Sequence, residues 1–161
     1  MTRINFAAAA KAGIIAAIVF MMLEMVLAAT IGGGSPWAPP RMIAAIALGT
    51  GVLPPPASFD VTILLVAMVI HLVLSIVLAI VFALIADAAR WSLMTCAIAG
   101  LVFGIVLYLT NFYGMSAVFP WFAMARGMIA IFAHAMFGLV LGYAYRAMAP
   151  LLIETAVEDS A

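Results

Sequence analysis

Charged side chains are scarce in this chain, at 7% of its 161 positions, and they balance, with six basic and six acidic residues. A soluble domain carries about a quarter charged residues, so a chain of this composition cannot cover its own surface in water. Without a basic excess there is also no electrostatic basis for holding a nucleic acid. The composition therefore excludes a soluble globular domain and a nucleic-acid-binding protein.

Cysteine and the common catalytic motifs are also scarce. The single cysteine, Cys96, stands in an apolar run, where a cysteine behaves as a small hydrophobic residue, and one cysteine cannot form an intrachain disulfide. The chain has no CxxC or HExxH motif and no Ser-His-Asp spacing, and Gly32-Gly33-Gly34 lacks the Lys and the Ser or Thr of a phosphate-binding loop. We therefore expect that the protein is not an enzyme.

Long apolar runs take the place of these features, since hydrophobic residues make up 70% of the chain. About 20 apolar residues span a bilayer as a helix, which predicts an all-α fold, a polytopic membrane four-helix bundle forming one transmembrane domain over residues 1–161. Glu24 lies inside the first run, which favours an uncleaved helix over a signal peptide. The predicted spans are about 12–31, 61–85, 91–118 and 122–148, with an outer loop and short helix over 32–60 and a flexible tail over 151–161.

Lys and Arg residues near the span ends predict the orientation, because cytoplasmic loops are enriched in them. Four lie on one side and two on the other, which predicts cytoplasmic N- and C-termini: Arg3, Lys11, Arg90 and Arg146 against Arg41 and Arg126. Trp37 and Trp121 are expected to anchor the outer face at the headgroups. Asp60, just before the second span, predicts a helix cap, and Asp87 with Arg90 predicts an exposed inner turn.

Polar and small residues recur between the two halves of the chain. One offset aligns the first span with the third, and a second offset aligns the second span with the fourth. Each half then enters from the same side, which predicts two parallel two-helix repeats related by an axis along the membrane normal. The aligned pairs are Gly13 with Gly100, Ala17 with Gly104, Glu24 with Asn111, His71 with His134, Ser75 with Gly138, Ala79 with Gly142, and Phe82 with Tyr145.

The spacing of these residues predicts which way they point. Intervals of four and seven residues put side chains on one helix face, and small residues on that face let membrane helices approach closely. Glu24, His71, Asn111 and His134 are therefore expected to converge in the outer half of the bundle interior. The predicted helix-packing residues are Gly13, Ala17, Gly100, Gly104, Ser75, Gly138 and Gly142.

Several stretches of the chain resemble a group of small uncharacterised bacterial inner-membrane proteins, some of which carry the loose label sodium:proline symporter. The stretches are Glu24-Met25, residues 35–44, Leu53-Pro54-Pro55-Pro56, residues 111–114 and 119–126, and Phe132-Ala133-His134. The resemblance implies a four-span protein of the bacterial inner (cytoplasmic) membrane. It implies no sodium-coupled mechanism, because such symporters have many more spans than 161 residues supply.

The sequence leaves three functions open. A carboxylate within the bilayer is a functional candidate by default, so Glu24 with the two histidines indicates proton or small-solute transport. In the second alternative, His71 and His134 ligate a haem b from both sides, and Arg41 or Arg126 pairs with the haem propionates. In another form of this alternative, the two histidines hold a metal together with Glu24. In both forms the protein is an accessory subunit of a membrane complex. The third alternative is a purely structural bundle with a hydrogen-bonded polar core. Under all three alternatives, the expected partners of the protein are the lipid bilayer and either a second copy of the chain or a larger membrane complex.

Overall fold

The computed structural model describes residues 4–151, which form helices and turns without a strand. Of the predicted tail, residues 152–161 lie outside the described part. The α-helices are α1 (Phe6–Thr30), α2 (Ala38–Leu48), α3 (Val61–Ala88), α4 (Leu93–Leu109) and α5 (Met128–Met148). A π-helical turn over Thr110–Gly114 continues α4, and short 3₁₀ turns cover Thr50–Val52, Met115–Ala117 and Pro120–Ala125.

Polar side chains cap three of the five helices. The side-chain oxygen of Asn5 accepts from the Ala8 amide at 2.9 Å, Asp60 Oδ1 accepts from the Ile63 amide at 3.0 Å, and Ser92 Oγ accepts from the Thr95 amide at 3.3 Å. Each cap satisfies one of the amides that a first helical turn leaves unpaired. The predicted capping role of Asp60 is therefore confirmed.

Four segments are long and apolar enough to cross a bilayer: Phe6–Thr30, Val61–Ala88, Leu93–Ala117 and Met128–Met148. The prediction of an all-α bundle with four membrane helices is confirmed. Helix α5 begins at Met128, later than the start near 122 expected for the fourth span, because Pro120–Ala125 closes into a 3₁₀ turn and Gly127 separates that turn from α5. Helix α2 is too short to cross.

The long helices pack in the order α3, α1, α5, α4. Helices α1 and α3 form one antiparallel pair, called here the first pair, and α4 and α5 form the second pair; α1 and α5 join the two. Helix α3 has few contacts with the second pair, and those at Phe82 and Asp87 lie in its last two turns. Both described chain ends lie at that end of the bundle, called here the terminal end, and α2 lies at the opposite end, the α2 end.

Candidate functional site

Glycines at the crossing of α4 and α5 fix how close these two helices come. A Cβ at Gly104 would overlap the carbonyl oxygen of His134 and lie 2.8 Å from its carbonyl carbon. A Cβ at Gly100 would overlap the carbonyl oxygen of Gly138, and one at Gly142 would overlap that of Cys96. The two backbones are therefore in direct contact, which only glycine permits.

The crossing of α1 and α3 uses small residues in the same way. A Cβ at Gly13 would lie 2.9 Å from both the Ala79 Cβ and the Ser75 carbonyl oxygen. Ala17, one turn further along α1, is fully buried, and its carbonyl oxygen meets His71. All seven of the predicted helix-packing residues are buried, and they lie at the two crossings.

His134, which is 6% exposed, has both ring nitrogens in hydrogen bonds. Its Nδ1 lies 2.8 Å from the Ala130 carbonyl oxygen, and its Nε2 lies 3.3 Å from Asn111 Nδ2. A carbonyl oxygen only accepts, so Nδ1 carries the proton and Nε2 accepts from the Asn111 amide. The geometry therefore describes a neutral, fully hydrogen-bonded imidazole.

Asn111 reaches His134 from the π-helical turn that follows α4. This turn is wider than an α-turn and changes the direction of the side chains that follow it. The guanidinium of Arg126 holds the same turn, since its Nε donates to the Phe112 carbonyl at 2.7 Å. Two of the four residues predicted to converge, Asn111 and His134, are thus in direct contact.

His71 is held differently, and a phenyl ring separates it from His134. Its Nε2 lies 3.1 Å from the Ala17 carbonyl oxygen, so this nitrogen carries the proton and donates. The ring of Phe20 lies 5.2 Å from the His71 ring and 4.8 Å from the His134 ring, measured between centroids. Both imidazoles therefore pack on the Phe20 ring, and they do not contact each other.

Glu24 lies one turn beyond Phe20 on the same face of α1, half-buried near the α2 end. Its Oε1 is buried and has no hydrogen-bond partner among the described residues. The structure shows no hydrogen bond from Glu24 to His71, Asn111 or His134. Because almost all buried polar atoms in folded proteins have partners, an unpartnered carboxyl oxygen requires an explanation.

The histidines as placed do not fit a haem held from both sides. Each His uses its Nε2 in a hydrogen bond, and both rings pack on the Phe20 ring. Among residues 4–151, no group of three His, Cys, Asp or Glu side chains lies together in a way that could hold a metal ion. The placement of these side chains therefore favours neither cofactor.

The four residues predicted to support the outer face hold the loops at the α2 end. Arg41 donates from Nη1 to the Val52 carbonyl at 2.8 Å and from Nε and Nη2 to the Ser58 carbonyl. The guanidinium of Arg126 lies 4.4 Å above the Tyr113 ring. Trp37 packs on Phe59 with ring centroids 4.9 Å apart, and Trp121 donates from its indole nitrogen to the Met42 carbonyl at 3.1 Å.

A buried ionic cluster at the terminal end was missed by the reasoning from sequence. Asp87 is 7% exposed, and its Oδ1 lies 2.9 Å from Nη2 of Arg146, which is 2% exposed. The Tyr145 hydroxyl donates to Asp87 Oδ2 at 2.6 Å. The expectation that Asp87 lies with Arg90 in an exposed turn is wrong for Asp87, because Asp87 is in the last turn of α3 and faces α5.

Large apolar side chains are exposed along all four long helices, among them Ile18, Val73, Val102 and Phe132. Side chains of this kind on helices of spanning length face lipid. The chain is therefore an α-helical multi-pass membrane protein. Comparison with protein-family models, with curated proteins and with solved structures gives no match.

Proposed function

We propose that this protein handles protons, or a small solute together with protons, in a bacterial inner membrane, and that Glu24 is the group that acts. The observation that carries the proposal is the buried Glu24 carboxyl oxygen, which has no partner in the described part of the chain. A carboxyl group in the bilayer costs a few kcal/mol. A side chain that served only to tie helices together would recover that cost through hydrogen bonds.

The comparison with Asn111 supports this role. Asn111 aligns with Glu24, and its amide completes the hydrogen bonds of His134. Glu24 makes no matching bond to His71, whose Nε2 donates to a backbone carbonyl. We propose that the two helix pairs descend from one two-helix unit and that the first half has kept an ionisable group where the second half has a neutral one.

The two crossings support the proposed repeat. Gly13 packs on Ser75 and Ala79, and the aligned residue Gly100 packs on the aligned Gly138 and Gly142. Likewise Ala17 meets His71 and Gly104 meets His134. Both pairs thus cross at aligned positions, as a duplication with parallel halves requires. Both termini are then on one side of the membrane, and the Lys and Arg distribution favours the cytoplasm.

In this conformation residues 4–151 of a single chain offer no polar route through the whole membrane. From His134 to Tyr145 the helix rises about 16 Å, at ~1.5 Å per residue. The bundle core at this level is apolar and includes Phe82, Phe137 and Leu141. Transport therefore requires a change of conformation or a second copy of the chain, and we propose a homodimer as the working unit.

Proton uptake into proteoliposomes tests the proposal. With a pH-sensitive dye inside and an imposed gradient, we expect wild type to acidify the lumen and Glu24→Gln to lose most of that rate. Asp60→Asn is the matched control, because it makes the same carboxyl-to-amide change at an exposed cap that Asn also fills. If Glu24→Gln and wild type acidify the lumen equally, Glu24 is not the acting group.

The structural bundle remains the second candidate, favoured by the complete hydrogen bonding of His134. A structural bundle predicts no wild-type flux above empty liposomes. The proteoliposome flux of wild type therefore separates the two candidates.

A further inference from the structure

The two helix pairs are tied across their interface by hydrogen bonds at both ends of the bundle. At the terminal end, Asp87 of the first pair binds Tyr145 and Arg146 of the second. At the α2 end, the Trp121 indole donates to the Met42 carbonyl of α2, and α2 packs on α3 and α1. The ties differ in kind, since one is a buried ionic cluster and the other a single neutral hydrogen bond.

The ionic cluster, called here the clamp, consists of Asp87, Tyr145 and Arg146. Arg146 Nη2 donates both to Asp87 Oδ1 and to the Ala86 carbonyl, at 2.9 and 3.2 Å, and Nη1 donates to the Ala149 carbonyl at 2.9 Å. Arg146 Nε is buried without a partner among the described residues. Within residues 4–151, the Asp87–Arg146 contact is the one salt bridge.

The position of the clamp matches the contacts of α3. Over most of its length α3 packs on α1 and α2 and has few contacts with the second pair. The attachment of the last turn of α3 to α5 is therefore a small part of the contact surface of α3, although the bonds of this attachment are strong. Removing one partner of a buried ion pair leaves the other charge uncompensated, which disrupts such a contact.

We propose that the clamp is the terminal-end gate of a two-gate protein, and that the Trp121–Met42 contact is the gate at the α2 end. Both contacts are formed in the structure, and Asn111 and Glu24 lie nearer the Trp121–Met42 gate. In this proposal the two pairs rock about the α1–α5 contact, so that opening of the clamp closes the α2 end more firmly. This inference rests on the proposed function. It is tested by cysteine labelling, which needs no transported solute, so the gate proposal and the proposed function can fail independently.

Cys96 is the reporter for the terminal end. It is the single cysteine of the chain, it is fully buried, and it lies at the α4–α5 crossing beside Gly142, four residues before Arg146. With a membrane-impermeant maleimide on the side of the termini, we expect slow labelling of wild type and labelling more than about tenfold faster in Asp87→Asn. Tyr145→Phe, which keeps the ion pair, should fall between them, and Asp60→Asn should match wild type.

A second reporter separates gating from local loosening. In a Cys96→Ala background, Met42→Cys places a thiol at the α2 end, on the residue whose carbonyl accepts from the Trp121 indole. We expect Asp87→Asn to slow its labelling from that side at least about threefold, whereas local loosening would leave it unchanged.

The gate proposal is overturned by unchanged Cys96 labelling in a folded Asp87→Asn protein, or by unchanged or faster Met42→Cys labelling. If Asp87→Asn does not fold, Tyr145→Phe decides: faster Cys96 labelling with slower Met42→Cys labelling supports the gate, and any other result overturns it.

Discussion

Substitution of Gly104 by Ala tests whether backbone contact at the α4–α5 crossing sets the fold of the second pair. Helix propensity alone predicts that Gly→Ala stabilises a helix by about 1 kcal/mol. The structure predicts the opposite sign, because the new Cβ would overlap the His134 carbonyl oxygen and lie 3.2 Å from the Ala135 Cα. Backbone atoms cannot rotate away, so the helices must separate.

Overpacking of this kind costs about 1–3 kcal/mol, and because the new Cβ would meet only backbone atoms of α5, Gly104→Ala lies at the upper end. For a chain of this length each kcal/mol lowers Tm by roughly 2–4 °C. We therefore expect the Tm of Gly104→Ala to fall by about 6–12 °C. The separation should also pull His134 away from Asn111.

A thiol-reactive dye that fluoresces on reaction with Cys96 measures the Tm in detergent, since Cys96 is buried until the protein unfolds. Gly114→Ala is the matched control, because φ is −83° there and no atom lies within 4 Å of the new Cβ. We expect the control to melt within about 2 °C of wild type. The reasoning is refuted if Gly104→Ala melts at or above the temperature of wild type.

Three further substitutions have defined outcomes. Asn111→Ala leaves the buried His134 Nε2 without its donor and should cost about 1–2 kcal/mol in the same melting assay; an unchanged Tm would mean that the bond is not made. Phe20→Ala removes the ring between the two imidazoles and should cost about 3–5 kcal/mol, and a loss below about 1 kcal/mol would show that the space is refilled. Arg41→Ala removes three hydrogen bonds to loop carbonyls, so limited proteolysis should cleave residues 49–60 faster while Tm changes little; equal cleavage rates would contradict this role.

The helices could be predicted from the sequence because a bilayer imposes simple rules. Length and hydropathy suffice to locate a spanning helix, and the four-residue spacing of Gly100, Gly104, Gly138 and Gly142 marks a close crossing. Helix spacing also predicted that Asn111 and His134 face the bundle interior. These features depend on local spacing, which the sequence displays directly.

The remaining parts of the site depend on long-range geometry that local patterns do not carry. Phe20 is an apolar residue in an apolar run, so nothing in the sequence indicates that it lies between two histidines. Asp87 next to a turn has the sequence features of a surface residue, and its burial follows from the meeting of the ends of α3 and α5. The π-helical turn at Asn111 has no sequence signal that we could identify.

The central claim is that Glu24 is a carboxyl group within the bilayer that is free to take up a proton. A lipid-soluble carbodiimide tests it most directly, because such reagents couple to protonated carboxyl groups in membranes and add a mass that peptide mapping locates. We predict modification of Glu24 in native membranes and none of Asp87, whose oxygens are bound by Arg146 and Tyr145. Modification of Asp87 with Glu24 untouched would contradict the account.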